Sequence, residues 1–410
     1  MRAVLATLIL LLAPPNLVPL VPPQPQRSMP QAPAGRPVSL AAGPVTKLRL
    51  KPPIENLRRS VRESSLPGRA PRQAGDPAAT RPSFTEWLAA VRVEALSRGI
   101  REEIVNEALG NLVEPLPVVI ERDRTQAEVV MSLEHYIARR LTPNFVKAGR
   151  ESVTRHRKLL DEIADRYGVP PHIIAAVWGL ESNYGAFSGV RPTIAALATL
   201  AWDPRRSSFF RGELFNALDI VNRGDIDLDR LRGSWAGAMG QVQFMPSSYL
   251  KYAEDFDGDG RRDIWSTPAD VFASIANYLK GHGWAPGSSW GREVTLLPGA
   301  GRRIVSEVER RDGTCQATRD MTVMLPSARW QALGVRSMTG GPMPAHIPDA
   351  ALVSGRTRHF LVFGNYDALL GYNCAHSYAI SVGLLADRLG GAAPAPPAKR
   401  PPRAHRAARK

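Results

Sequence analysis

The chain has 410 residues, of which 44% are hydrophobic, and a formal net charge of +15. This length and composition exclude a fully disordered chain and predict about two or three structural units. The excess charge lies at the ends: twelve Lys and Arg against three acidic residues in 1–81, and six against none in 392–410. The remainder is neutral, so we expect no nucleic-acid partner.

The N-terminus has the pattern of an export signal. Arg2 precedes an apolar run at 3–13, which is too short for a bilayer span of roughly 20 residues. Such a run matches the apolar region of a secretory signal peptide, although no clean A-x-A motif marks the cut. We therefore predict a signal peptide over 1–25 and a periplasmic protein, with an uncleaved N-terminal anchor as the alternative. No Cys lies near this segment, which argues against a lipoprotein.

Both charged ends have the composition of disordered segments. Residues 26–81 are rich in Pro and Arg and poor in aromatic residues, and 392–410 is a basic, Pro-containing tail. These segments bury too little apolar surface to offset chain entropy, so we predict a disordered linker and a disordered tail. Basic tails can also contact anionic polymers of a cell wall or a membrane electrostatically, with a merely solubilising role as the alternative.

Periodicity divides the part between the two ends. Apolar residues recur at helical spacing in its first portion, and Pro170-Pro171 signals the start of a further helix. Later, glycines alternate with short β-branched runs, which is typical of strands, and the last element is again helical. We predict one domain over 82–391, comprising a helical part (84–160), a core (161–283), a small β-rich part (284–364) and a core helix (365–391).

Glu181 is the first candidate for chemistry. It follows Ile174 by seven residues and Val177 by four, so its carboxyl group projects from the apolar stripe of its helix, near the C-terminal end. Desolvation, with the negative end of the helix dipole close by, raises the pKa of such a group and keeps it protonated near neutral pH, as a general acid requires. From position alone, a structural Glu that reaches solvent or pairs with an Arg stays an open alternative.

The segment 234–249 has the composition of a surface for an uncharged ligand. Small residues allow close backbone approach, and amide, hydroxyl and aromatic side chains alternate with Met and Phe. Such a surface suits a ligand rich in hydroxyl and amide groups, such as an N-acetylated sugar. On composition alone, a glycine-rich helix start packed on a neighbour is the alternative.

Four motifs, in order and spacing, resemble those of the lytic murein transglycosylase B family. They are WGLESNYG at 178–185, GAMGQVQFMPSSY at 237–249, DFDGDGRRDIW at 255–265, and GYN at 371–373 followed by a Tyr-Ala helix. The resemblance covers about 84–390 of the chain. It implies an α+β, predominantly α fold, with a lysozyme-like catalytic core, a helical N-terminal region and a small inserted β subdomain.

The resemblance also implies an activity. Family members are peptidoglycan lytic transglycosylases, which cleave the MurNAc-GlcNAc β-1,4 bond without water and leave a 1,6-anhydro-MurNAc end, in cell-wall remodelling. No cofactor is required for this chemistry, glycan strands are the partner, and we expect a monomer. The family's single acid/base falls on Glu181. The residues that line the saccharide groove carry over to Ser234, Gln243, Tyr372, Asn373 and Tyr378.

One carboxyl group is consistent with this chemistry. Ordinary glycosidases need two, but here the substrate's N-acetyl oxygen and its C6 hydroxyl would both act as intramolecular nucleophiles. Two alternatives stay open. A lysozyme-type hydrolase requires a second essential carboxylate, which the four motifs do not supply. A noncatalytic wall-binding scaffold would keep the groove without turnover, and the intact motif residues argue against it.

The motif that begins at Asp255 has the ligand spacing of an EF-hand loop. Position 12, usually a bidentate Glu, is Ser266, so the site must close differently, and the resemblance implies a later Asp. We predict a structural Ca²⁺ in the loop 255–270, with an ion-free Asp-Gly turn cluster as the alternative. The predicted ligands are Asp255, Asp257, Asp259, the carbonyl group of Arg261, and Asp270.

The chain contains two cysteines, Cys315 and Cys374, both in the neutral part of the chain. In an exported protein such a pair forms one disulfide more often than a reactive thiol or a metal site. Neither CxxC nor HExxH spacing occurs, which argues against zinc. We therefore predict a disulfide between Cys315 and Cys374.

Overall fold

A computed structural model describes residues 82–125, 131–344 and 346–390. The predicted signal peptide, linker and basic tail lie outside these residues. In the ranges that are described, no helix combines the length and the apolar character that a bilayer span requires.

The N-terminal part is helical. Its first helix begins at a capping box, in which Ser83 and Glu86 each accept a hydrogen bond from the other's backbone N–H. Its last helix ends at Gly168, which adopts the left-handed conformation. The helices are α1 (Phe84–Ser97), α2 (Glu102–Gly110), α3 (Pro117–Thr125), α4 (Leu133–Arg140), α5 (Pro143–Arg155) and α6 (Arg157–Tyr167).

The next part supplies most of the site. Proline occupies the first turn of three of its helices, where a missing N–H costs nothing. The elements are α7 (Pro171–Ser182), β1 (Arg191–Pro192), α8 (Thr193–Trp202), α9 (Ser207–Asn222), β2 (Arg232–Gly233), α10 (Pro246–Tyr252) and α11 (Pro268–Gly281), with β1 and β2 paired antiparallel.

An antiparallel sheet follows, with strand order β4-β3-β6-β5. Three short helices accompany it, which the sequence pattern of 284–364 does not predict, because helices of five to eight residues are too short to show a helical period. The elements are β3 (Gly291–Leu296), α12 (Ala300–Glu307), α13 (Gln316–Asp320), α14 (Ser327–Ala332), β4 (Val335–Ser337), β5 (Ala351–Ser354) and β6 (His359–Val362).

The sheet is buried on both faces. Along β6 and the residue after it, Phe360 and Val362 join the main hydrophobic core, whereas Leu361 and Phe363 join a second cluster with Trp330. Successive side chains of a strand point to opposite faces, so the sheet lies between the helical core and a small outer layer.

Two helices complete the fold, α15 (Asn365–Tyr372) and α16 (His376–Leu389). Helix α16 packs against α4, α5 and α7, so the end of the domain closes over its middle. The predicted fold class, mostly α with a small sheet, is confirmed.

Candidate active site

Helix α7 carries Glu181 in its last turn. Every residue from Ile173 to Ser182 is buried, because α5, α6, α11 and α16 surround the helix. A helix that is apolar on all sides belongs to a core, and Glu181 is its acidic member. Its side chain therefore lies in the low-polarity interior, with 8% of its surface exposed.

A sharp reversal ends α7 directly after Ser182. Asn183, Tyr184 and Gly185 are all left-handed, with φ of 53°, 57° and 84°. Left-handed backbone is unfavourable for the two non-glycine residues, and the Ser182 hydroxyl supports it by accepting a hydrogen bond from the Gly185 N–H at 2.9 Å. The Tyr184 ring folds back on Gly179, where an added Cβ would lie 2.5 Å from a ring carbon.

The surroundings of Glu181 favour its protonated form. Burial raises the pKa of this carboxyl group to about 8, while a hydrogen bond from Tyr378 and the Arg140 guanidinium act in the opposite direction. The Tyr378 hydroxyl, on α16, donates to Glu181 Oε1 at 2.8 Å. At neutral pH the Glu181 carboxyl group is therefore protonated. The Tyr378 hydroxyl is the donor that stabilises its ionised form.

Arg140 is a site residue that the sequence analysis misses. From the end of α4 it donates a hydrogen bond to the Leu180 carbonyl, one residue before Glu181. An Arg in the last turn of a polar helix looks like ordinary surface charge, and no local pattern in the sequence points to α7, 40 residues later.

Tyrosine rings extend the site beyond Tyr378. Tyr372 stacks on Tyr378 with ring centroids 6.3 Å apart and lies 4.6 Å from the ring of Tyr278. Its hydroxyl donates to the Val242 carbonyl at 2.7 Å. The neighbouring Asn373 is 2% exposed, and among the described residues its buried Oδ1 accepts no hydrogen bond. The structure therefore brings Glu181, Tyr372 and Tyr378 together. The buried amide oxygen of Asn373 directly follows Tyr372 in the chain.

The other two predicted groove residues lie in tight turns. The Ser234 hydroxyl accepts hydrogen bonds from the backbone N–H groups of Ala236 and Ala238. Gln243 has φ of 51°, and its amide donates to the Gly240 carbonyl at 2.9 Å. Gln243 shares a cavity with Tyr372, whereas Ser234 does not line that cavity.

Gln241, which the sequence analysis passed over, fixes this segment to α7. Its Oε1 accepts from the Trp178 indole at 2.7 Å, and its amide donates to the Trp265 carbonyl at the same distance. Gln241 and Gln243 lie in a turn, where their spacing does not fix the direction of either side chain, so the sequence carries no signal that separates their roles.

The acidic loop is a separate feature. Carboxylate oxygens of Asp255, Asp257 and Asp259 lie within 4.8 Å of one another, and such a set of oxygens fits a hard cation. The Arg261 N–H donates to Asp259 at 2.8 Å. Asp270 is fully buried at the base of the loop, where its two oxygens accept from the backbone N–H groups of Phe256 and Asp263 at 2.7 and 2.8 Å.

The predicted disulfide is present. Cys315 and Cys374 are bonded, with their Cα atoms 5.9 Å apart. The bond joins the β-rich part to the chain directly after Asn373.

A mostly helical fold that holds a buried carboxyl group beside tyrosine and amide side chains is typical of the lysozyme-like class of protein. Residues 83–387 match the transglycosylase SLT domain family, and the chain belongs to that family. This membership confirms the resemblance drawn from the four motifs.

Three relatives illustrate the similarity. Membrane-bound lytic murein transglycosylase B of Escherichia coli K12 is 43% identical over 148 residues, which span 36% of this chain and 41% of the relative. SltB3 of Pseudomonas aeruginosa, solved with NAG-anhNAM-pentapeptide, is 40% identical with a TM-score of 0.68 over 75% of this chain and 80% of its own. Lytic transglycosylase Slt35 of Escherichia coli, solved with calcium, is 27% identical with a TM-score of 0.61 over 78% and 96%.

Proposed function

We propose that the protein is a peptidoglycan lytic transglycosylase, which cleaves the MurNAc-GlcNAc β-1,4 bond without water and leaves 1,6-anhydro-MurNAc ends in cell-wall remodelling. The observation that supports this most strongly is the buried Glu181 carboxyl group, whose pKa is raised to about 8 and which Tyr378 contacts. SltB3, solved with a ligand that contains an anhydro sugar, adds support.

In this proposal Glu181 acts twice. It first donates its proton to the glycosidic oxygen as the C1–O bond breaks, while the substrate's N-acetyl oxygen bonds to C1. The resulting carboxylate then takes the proton of the C6 hydroxyl, whose oxygen forms the new bond to C1 and releases the N-acetyl oxygen. Tyr378 and Arg140 stabilise the carboxylate between the two steps, because both favour the charged form.

Only one carboxyl group takes part. A hydrolase of the usual kind needs a second carboxylate within several ångströms. Among the described residues, no acidic side chain contributes to the shifted pKa of Glu181. This arrangement favours intramolecular closure over attack by an activated water.

The groove residues of the proposal are Ser234, Gln243, Tyr372, Asn373 and Tyr378. The buried Oδ1 of Asn373 suits the N–H of an N-acetyl group, since a buried acceptor without a donor is costly. The Tyr372 ring offers an apolar face for a sugar. Tyr378 has a second role, since its hydroxyl positions Glu181.

We further propose that the loop 255–270 binds one Ca²⁺ that stabilises it and takes no part in bond cleavage. Asp255, Asp257 and Asp259 would hold the ion together with the Arg261 carbonyl. Asp270, at the base of the loop, would complete the ligand set in place of the usual Glu. The calcium complex of Slt35 supports this proposal.

The protein is proposed to act as a monomer in the periplasm, on glycan strands. The relative from Escherichia coli is named membrane-bound, and the basic ends of this chain would hold it near anionic wall or membrane polymers.

The decisive test digests purified sacculi with the protein and with Glu181→Gln, and identifies the glycan ends by mass spectrometry. We expect ends lighter by one water, formed at least about 100-fold more slowly by the variant, because general acid catalysis contributes that much or more. Glu213→Gln is the matched control, since Glu213 is also buried with a raised pKa but is bonded to Ser247 instead. Reducing ends would indicate a hydrolase, and no cleavage by any variant would indicate a binding scaffold.

A further inference from the structure

The short connection between α15 and α16 carries the groove residue Asn373. It consists of Asn373, Cys374 and Ala375, and its backbone is extended at both ends, with φ of −147° at Asn373 and −144° at Ala375. Asn373 is buried, and in the part of the chain that the structure describes its Oδ1 accepts no hydrogen bond. The backbone on either side must therefore set the position of this amide oxygen.

Two links fix that backbone. On one side the Asn373 N–H donates to the Leu369 carbonyl of α15 at 3.1 Å. On the other side Cys374, which is 4% exposed, is bonded to Cys315. The second link is covalent, and it comes from a residue 59 positions earlier in the chain.

Cys315 belongs to a loop of the β-rich part, residues 309–325, which we call the brace loop. A backbone bridge between Arg310 and Thr322 joins its two ends, and the Met321 side chain is fully buried in the main core. Buried contacts and closed backbone bonds raise local stability. The brace loop can therefore fix the position of a residue that is bonded to it.

The brace loop contacts α15 at both ends. Arg311 pairs with Asp367, in the first turn of α15, through two hydrogen bonds of 2.9 and 3.1 Å. The disulfide at Cys374 lies just beyond the last turn. Because the Arg311 and Asp367 side chains are 26% and 42% exposed, water weakens their attraction. The disulfide is therefore the stronger of the two restraints, and it is the one beside Asn373.

We propose that the disulfide is a positioning link for Asn373, so that saccharide binding depends on the oxidised state of the cysteine pair. Through the brace loop it holds the Asn373 Oδ1 where this oxygen accepts the N–H of a substrate N-acetyl group. Without the link, the connection has more backbone freedom, and ordering it on binding costs affinity. This inference rests on the proposed function, which assigns Asn373 to the groove.

The half-buried Cys315 gives a small dithiol access to the bond. In the reduction, the two thiols of the dithiol are oxidised to a cyclic disulfide while the bond between Cys315 and Cys374 is cleaved. Each cysteine then carries one of the two protons that the dithiol releases. The chain has two cysteines, so a titration that finds two thiols per chain shows complete reduction.

The test measures the affinity for a NAG-NAM tetrasaccharide by isothermal titration calorimetry, with full-length Glu181→Gln to remove turnover. Binding is measured before and after reduction with dithiothreitol. We expect the dissociation constant to rise about tenfold, the loss for one hydrogen bond, and to return on reoxidation. Cys315→Ser with Cys374→Ser should show the weaker affinity with or without the reductant.

Asn373→Ala separates positioning from general stability. If the disulfide acts through Asn373, this variant binds weakly in both redox states, because two changes at one contact are not additive. Ile304→Ala, in the outer cluster and on α12, is the stability control. It destabilises the β-rich part from outside the brace loop, so it should leave the affinity unchanged. Melting temperatures identify any variant that fails to fold, and reduction of the natural cysteine pair then replaces the double Ser variant.

Two results would overturn the proposal. One is an unchanged dissociation constant after complete reduction, and the other is an equal loss in the Asn373→Ala background, which would make the disulfide merely structural. Absence of saccharide binding by the oxidised protein would overturn it together with the groove. Failure of the proposed function alone is seen separately, as the absence of anhydro ends from the active protein while the oxidised protein still binds the tetrasaccharide.

Discussion

Burial alone does not distinguish Glu181 from other acidic residues. Glu213 is equally buried, at 4% exposed, and its pKa is raised by the same desolvation. Its oxygens, however, accept hydrogen bonds from the backbone N–H and the hydroxyl of Ser247, which makes it a helix-to-helix link. Glu181 faces the tyrosine rings and receives one hydroxyl bond, from Tyr378. The difference between Glu213 and the proposed acid Glu181 is therefore in their neighbours.

We expect the Tyr378 hydroxyl to lower the pKa of Glu181. In the proposed reaction the protonated form of Glu181 is active at the start, so the rate should fall as pH rises through its pKa of about 8. Tyr378→Phe removes a bond that lowers this pKa, so the fall in rate should move to higher pH. The rate at pH 7 should drop about tenfold or more, because the carboxylate formed in the first step loses a charge-assisted hydrogen bond.

A pH-rate profile of kcat for the two proteins tests this expectation. Tyr366→Phe is the control, since its buried hydroxyl is bonded to His376 and not to Glu181. If the alkaline limb of Tyr378→Phe stays where it is in the unmodified protein, the tyrosine does not act on the acid.

At the scale of elements, the loop 255–270 is held at both ends by one residue of the following helix. Asp270, in the first turn of α11, accepts hydrogen bonds from the backbone N–H groups of Phe256 and Asp263. The three clustered carboxylates before it repel one another unless a cation lies between them. An ion at this place would thus stabilise the loop and the start of α11.

Calcium should raise the melting temperature of the protein by several degrees. At about 100-fold excess over the dissociation constant, a ligand that binds only the folded state stabilises it by about 2.7 kcal/mol. Asp257→Asn with Asp259→Asn should lose this response, whereas Asp165→Asn, an exposed Asp of α6, should keep it. Differential scanning calorimetry with and without calcium measures both, and an unmodified protein indifferent to calcium would contradict the proposed site.

At the scale of the whole molecule, the charge and the site are separate. The proposed catalytic and groove residues lie in the neutral part of the chain, while all of the net charge of +15 lies in its two ends. A basic chain segment can raise the local concentration of a protein on an anionic polymer by charge attraction alone.

Deleting 392–410, with its six Lys and Arg, should weaken sacculus binding at low salt. The difference should vanish in high salt, because the screening length falls from about 10 Å at 0.1 M to about 3 Å at 1 M. A co-sedimentation series with sacculi measures it, with a neutral tail of equal length as the control. Equal binding of all three proteins at low salt would exclude the electrostatic role.

The sequence alone was enough for the fold class and the family, and it predicted the candidate acid. Helical spacing in α7 places Glu181 on the apolar side, and the four motifs fix the order of the site. These features are local, since a period or a motif is contained within about ten to fifteen residues. Helices α12, α13 and α14 were not predicted, because short helices carry no period of their own.

Only the tertiary structure decided how distant residues meet. Tyr378 reaches Glu181 across 197 positions, and Arg140 reaches Leu180 across 40. The Arg311–Asp367 pair exists because the β-rich part folds against α15. No local signal encodes such contacts, since they result from the packing of whole elements. The sequence by itself thus indicated the family and the candidate acid, because motifs are local, whereas packing decided the protonation state of that acid and its hydrogen-bond partners.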